Sequence, residues 1–133
     1  MNTTATPPVR LLIVDDEPDI GELLSYNFRK RGFDVRTATD GRTGMDAARA
    51  FHPDIIILDI MMPHVNGIAM CKELKSTEDL SSIPVLFLSA TANDLLIDEA
   101  LQAGGYLFVS KPIQLNMLIQ VVVEMKDKPD KRP

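Results

Sequence analysis

The chain alternates between two textures. Short runs of four apolar residues recur: Leu11-Leu12-Ile13-Val14, Ile55-Ile56-Ile57-Leu58 and Val85-Leu86-Phe87-Leu88. Each is closed by Asp or Ser, and two of the three are rich in β-branched residues, as expected for strands buried on both faces. Phe33 to Thr39 instead alternates, with Phe33, Val35 and Thr37 on one side and Asp34 and Arg36 on the other. That pattern suits a strand at a sheet edge. Tyr106 to Ser110 is a fifth candidate.

Helical spacing fills the gaps. Ile20, Leu23, Leu24 and Phe28 follow one stripe of a 3.6-residue period. Arg29-Lys30-Arg31 followed by Gly32 places cations in the last turn and a stop after it. Met45 and Ala48 mark a second helix, from Gly41 to Phe51. Gly67, Cys71 and Leu74 mark a third, and Ile97, Ala100 and Leu101 a fourth, stopped by Gly104-Gly105. Gln114 to Met125 is the fifth. Its Leu118, Ile119, Val121, Val122, Val123 and Met125 cannot all face inward at this period.

Strands alternating with single helices predict an α/β fold, a parallel sheet with helices on both faces. The three apolar strands belong in the middle and the alternating second strand at an edge. The doubly wound order 2-1-3-4-5 satisfies both conditions. The fold class is therefore a (βα)5 three-layer sandwich. The expected boundaries are a flexible tail over Met1–Pro8, one domain over Val9–Lys126, and a tail or linker over Asp127–Pro133.

Composition narrows the chemistry. With 133 residues, one domain is expected. The formal charge of −5 argues against direct nucleic-acid binding, which needs a cationic face. One cysteine, Cys71, excludes an internal disulfide and points to a reducing, cytoplasmic setting. No apolar run approaches the roughly 20 residues of a membrane helix. Residues Met1–Arg10 lack the apolar stretch of a secretory signal.

In a doubly wound sheet, ligands bind beyond the C-terminal ends of the strands. Those ends carry Asp15-Asp16-Glu17, Asp59, Ser89 and Ser110-Lys111-Pro112. Three carboxylates sharing a crevice repel one another, and a hard divalent cation resolves the conflict. Asp59 is placed as a nucleophile toward phosphorus. Lys111 and the cation would balance charge on the phosphoryl oxygens. The Ser89 hydroxyl can donate to the phosphoryl group once it is attached.

These residues resemble the response-regulator receiver domain of two-component signalling, which has a flavodoxin-like fold. The resemblance is carried by Val14-Asp15-Asp16-Glu17-Pro18, Asp59-Ile60-Met61-Met62-Pro63 with Gly67, Ser89-Ala90 and Lys111-Pro112, and runs from Val9 to Met125. It implies a phosphorylation-activated switch rather than an enzyme, one that assists its own phosphorylation and dephosphorylation. Asp59 would be the phosphoacceptor. Asp15, Asp16, Asp59 and the Met61 carbonyl would hold Mg²⁺, with Mn²⁺ as a substitute. Lys111 would pair with Asp59 or its phosphate. Ser89 and Phe108 would be the switch residues, and Pro112 would follow a cis peptide bond. Met61 and Thr91 would tune the lifetime of the phosphate.

The implied partners are a sensor histidine kinase or histidine phosphotransfer protein, and a downstream protein or fused output domain. A homodimer would form through the fourth helix, fifth strand and fifth helix. Gly105-Tyr106-Leu107 departs from the polar stretch common in the family, and Phe108 lacks the hydroxyl of the commoner tyrosine. Both departures fall on that same face. Competing readings are a Mg²⁺-dependent small phosphatase or phosphotransferase, a flavin-binding module, and a receiver-like binding module not phosphorylated in use. Against the first, position 61 is methionine rather than a second acid. Against the second, the loop after the first strand is acidic.

Overall fold

The computed structural model describes residues 7–62 and 65–127. The tails at 1–6 and 128–133, with Pro63 and His64, lie outside the described residues. Ten elements alternate: β1 (Arg10–Val14), α1 (Pro18–Arg29), β2 (Asp34–Ala38), α2 (Gly41–Phe51), β3 (Ile55–Asp59), α3 (Gly67–Lys75), β4 (Val85–Ser89), α4 (Asp94–Gln102), β5 (Leu107–Ser110) and α5 (Leu115–Asp127). All neighbouring strands pair in parallel, in the order β2-β1-β3-β4-β5. The fold expectation is met, with element ends shifted by one or two residues. Helix α5 includes Asp127, which the expected boundaries placed in the tail.

Period-two geometry explains why the central strands are apolar throughout. Leu12, Val14, Ile56, Leu58, Val85 and Phe87 face one layer, packing with Met45, Ala48, Met70, Leu74 and Ala100 of α2, α3 and α4. Leu11, Ile13, Ile57, Leu86 and Leu88 face the other, against Leu24 and Phe28 of α1 and Leu118, Ile119 and Val122 of α5. Two cores share one sheet, so, Arg10 at the start of β1 aside, no residue of β1, β3 or β4 meets water. Asp40, Asn66 and Asn93 cap α2, α3 and α4 through side-chain oxygens. Gly32 does sit at φ 88°, a left-handed stop for α1.

Two periodicity expectations are corrected. Leu23 is 45% exposed, and the face of α1 turned inward is Gly21, Leu24, Ser25 and Phe28. Small residues let the helix lie close to the sheet, an effect that hydrophobicity alone does not register. In α4 only Ala100 is buried, and Leu101 is 44% exposed. That helix lies over β5, an edge strand, and has less sheet to cover it. Thr37 keeps the side of Phe33 and Val35, its Cγ2 toward Gly21 of α1, but lies exposed at the sheet edge. In α5 the buried stripe is Leu118, Ile119, Val122 and Met125; Val121 and Val123 are half-buried, and Met117 is 48% exposed.

Candidate functional site

The polar residues at the strand ends converge. β1 ends one residue before Asp15, and β3 ends on Asp59. Because β1 and β3 are adjacent and in register, Val14 opposite Leu58, these acids meet at one edge. Asp15, Asp16 and Asp59 each present a carboxylate oxygen, all within 4.8 Å of one another. Asp15 and Asp59 are buried, each 2% exposed.

The backbone holds the carboxylates in place. Asp15 Oδ1 accepts from the Glu17 N–H at 2.8 Å, and Asp59 Oδ1 from the Met61 N–H at 3.3 Å. At the start of α3, the Gly67 N–H donates to the Ile60 carbonyl at 2.8 Å. A Cβ at Gly67 would collide with the Asp59 carbonyl and come within 2.9 Å of Ile60 Cα. The helix therefore packs on the backbone that carries Asp59 only because residue 67 lacks a side chain.

One ammonium faces the acids. Lys111 Nζ lies 3.1 Å from Asp15 Oδ2, 3.5 Å from Asp59 Oδ2 and 2.8 Å from Glu17 Oε1. The peptide bond from Lys111 to Pro112 is cis, as expected. The Lys111 N–H donates to the Ser89 carbonyl at 2.8 Å, which ties the end of β5 to the end of β4. Ser89 is wholly buried, and its Oγ accepts from the Thr91 N–H at 3.1 Å. Phe108 pairs in register with Phe87 and is half-buried against the core on the α2–α4 side. Met61 turns its side chain to solvent, 58% exposed.

Charge is not balanced here. Asp59 is pushed up to about 7, first by burial and then by the Asp15 carboxylate, with Lys111 acting against both. Asp15 is also raised by burial, offset in part by the Glu17 N–H and by Lys111. For Lys111 burial opposes the charged form, but Glu17, Asp15 and Asp59 outweigh it and raise its pKa. Asp15 Oδ2 is fully buried, with the Lys111 ammonium 3.1 Å away as its neighbour. An all-oxygen cluster of three carboxylates facing a single ammonium fits a hard divalent cation.

A stability consequence follows. The folded Asp59 pKa exceeds its ordinary value of 3.8, so between about pH 4 and pH 7 the folded state binds more protons than the unfolded chain. Stability from this group is present at low pH and lost as pH rises through 7. Asp59→Asn removes the penalty, so the metal-free variant at pH 8 should be more stable than wild type by about 1–3 kcal/mol. At pH 4 the gain should vanish. Urea unfolding in chelator at both pH values checks this; equal gains at the two pH values would contradict it.

Sequence reasoning overlooked Glu17. In the sequence it reads only as part of an acidic strand end, yet it makes the shortest contact to Lys111. Glutamate at a helix N-cap, where Ser, Thr, Asp or Asn is preferred, was the available signal.

The model of the response regulator receiver domain family matches residues 11–123. The chain belongs to that family. A receiver domain is the phosphorylatable part of a two-component response regulator, a signalling protein rather than a classical enzyme. Curated relatives agree. The chain is 36% identical over 120 residues to the regulatory protein AtoC of Escherichia coli, covering 88% of this chain and 26% of that protein. It is 34% identical over 124 residues to the DNA-binding dual master transcriptional regulator RpaA of Synechocystis, covering 93% and 52%. This receiver domain thus spans about a quarter to a half of these relatives' length. Among solved structures, the receiver domain of the Francisella response regulator 1452 superposes with a TM-score of 0.84 at 28% identity, covering 90% of this chain and 98% of that one. Chemotaxis response regulator CheY4 of Vibrio cholerae gives 0.83 at 26% identity, covering 88% and 98%.

Proposed function

We propose that this receiver domain accepts a phosphoryl group on Asp59 from a histidine kinase or histidine phosphotransfer protein and relays that event through its α4-β5-α5 face. The observation that supports it best is the gathering of Asp15, Asp16 and Asp59 within 4.8 Å, with Lys111 opposite. In the transfer, an Asp59 oxygen forms a bond to phosphorus while the bond from phosphorus to the donor's imidazole nitrogen breaks. The donor leaves as imidazole, and Asp59 becomes an acyl phosphate.

Asp15, Asp16, Asp59 and the Met61 carbonyl would hold Mg²⁺, or Mn²⁺ in its place. When bound, it would offset the charge that builds on the phosphoryl oxygens. Lys111 supplies a second positive charge from the protein itself. Ser89, wholly buried at the neighbouring strand end, donates its hydroxyl to the attached phosphoryl group. That movement draws Phe108 inward and biases β4, β5 and α4 toward a second arrangement. The chain thereby assists its own phosphorylation and dephosphorylation.

The domain extends from Val9 to the end of α5 at Asp127 and works in the cytoplasm. Among the described residues no helix is long and apolar enough to cross a membrane. Exposed apolar residues stand on α4 (Leu95 and Leu101, 73% and 44% accessible) and α5 (Met117, 48%), with Tyr106 just before β5 at 37%. Exposed apolar side chains at one face suit a protein partner or a second copy of the chain. Contact with DNA, which RpaA's name records for that protein, would come through an output domain rather than this acidic receiver.

Incubating the protein with Mg²⁺ and a small acyl phosphate, then measuring intact mass, tests the reading. One phosphoryl group per chain is expected, and none when a chelator replaces Mg²⁺. A chain that never gains mass would contradict it.

A further inference from the structure

Glu17 occupies the N-cap of α1 without capping it. Its side chain makes no cap hydrogen bond. The carboxylate instead reaches Lys111, 94 residues later, and accepts from Nζ at 2.8 Å. The same ammonium stands 3.1 Å from Asp15 and 3.5 Å from Asp59, so its closest partner is the acid outside the metal-ligating cluster.

The three partners differ in what losing the ammonium would cost them. The Asp15 and Asp59 side chains are 0% and 3% exposed, whereas that of Glu17 is 59% exposed. Water can replace the ammonium at Glu17 but not at the buried acids. An ammonium is a compact point charge with three donors that can be re-aimed on a flexible stem. A phosphoryl group on Asp59 would bring added negative charge and strong acceptor oxygens to its buried side. The contact with Glu17 is then the one most easily given up.

We propose that Glu17 is a positioning residue that holds Lys111 at the rim of the acid cluster before phosphorylation and releases it to the phosphoryl group afterwards. This rests on Asp59 being the phosphoacceptor and concerns only which partner Lys111 keeps. Holding the ammonium back slows phosphoryl uptake, because the positive charge must leave one carboxylate before it serves the transition state.

Two variants separate this role from simple charge. Glu17→Gln removes the charge and weakens the contact. Glu17→Asp keeps the charge but shortens the reach by one methylene, and aspartate is a favoured N-cap whose carboxylate α1 can engage. Both variants leave the fold's buried residues untouched. At saturating Mg²⁺, phosphoryl uptake from a small acyl phosphate should rise about two- to fivefold in both, the rate equivalent of one half-exposed ion pair. Acceleration in Glu17→Gln alone would mean only reduced repulsion of an anionic donor and would overturn the proposal, as would unchanged or slower rates in both. A second readout does not depend on turnover. In wild-type protein the Glu17 carboxylate ¹³C resonance should move on adding Mg²⁺ with beryllofluoride, as its ammonium partner departs, and an unmoved resonance overturns the proposal. If wild type itself takes up no phosphoryl group, the assignment of Asp59 has failed instead.

Discussion

Asp59→Asn should take up phosphoryl groups from an acyl phosphate at least about 1000-fold more slowly than wild type, in line with removal of a nucleophile from a working unit. The substitution keeps the shape of the side chain but replaces the attacking carboxylate by an amide, a far poorer nucleophile. It does not unfold the site, since the Asp59 carboxylate is already poorly accommodated there, pushed up to about 7 by burial and by Asp15. The two other acids remain. If proximity to the metal were sufficient, Asp15 or Asp16 would become labelled in its place. They should not, because Asp15 is occupied by the Glu17 N–H and by Lys111, and Asp59 alone closes the end of β3 beside Ser89. Intact mass over time, with peptide mapping of any residual label, checks this. Label above a tenth of the wild-type rate would contradict the assignment.

Asp16→Asn should weaken Mg²⁺ binding by at least about 100-fold. Asp16 is half-buried and is not one of the acids paired with Lys111, so its loss removes a ligand charge without unseating the ammonium. A unit charge 4 Å away is worth about 4 kcal/mol at an effective dielectric near 20, and a divalent ion feels more. Desolvating the remaining groups absorbs part of this, which leaves about two orders of magnitude. Calorimetric titration of Mg²⁺ into wild type and variant measures it directly. Binding should also weaken below about pH 7 in wild type, because protons then compete for Asp59. A variant that binds Mg²⁺ within a few-fold of wild type would mean that Asp16 is not a ligand.

Much of this was legible from residue order. Apolar runs at Leu11–Val14, Ile55–Leu58 and Val85–Leu88 declared strands buried on both faces, and the weaker alternation around Val35 declared an edge. Those facts agree with the doubly wound order 2-1-3-4-5, which the resemblance to receiver domains also implies. Once the order was set, Asp15, Asp16, Asp59 and Lys111 had to meet, since all four lie at the C-terminal edge of a parallel sheet.

What escaped was everything set by fine fit. The inward face of α1 follows Gly21 and Ser25, because small side chains decide how closely a helix approaches a sheet. The exposure of Leu101 follows from α4 lying over an edge strand, a tertiary fact that no local period contains. Glu17 escaped because its partner is 94 residues away, and a side chain's choice between solvent and a distant ammonium depends on a cluster that local sequence does not describe.

The most direct test of the central claim is a crystal structure of the protein grown with Mg²⁺ and beryllofluoride. The account predicts one metal ion bound jointly by Asp15, Asp16 and Asp59, beryllofluoride on the Asp59 carboxylate, and Lys111 Nζ in contact with a fluorine. A metal bound elsewhere, an Asp59 without the adduct at saturating beryllofluoride, or acids turned away from one another would contradict it.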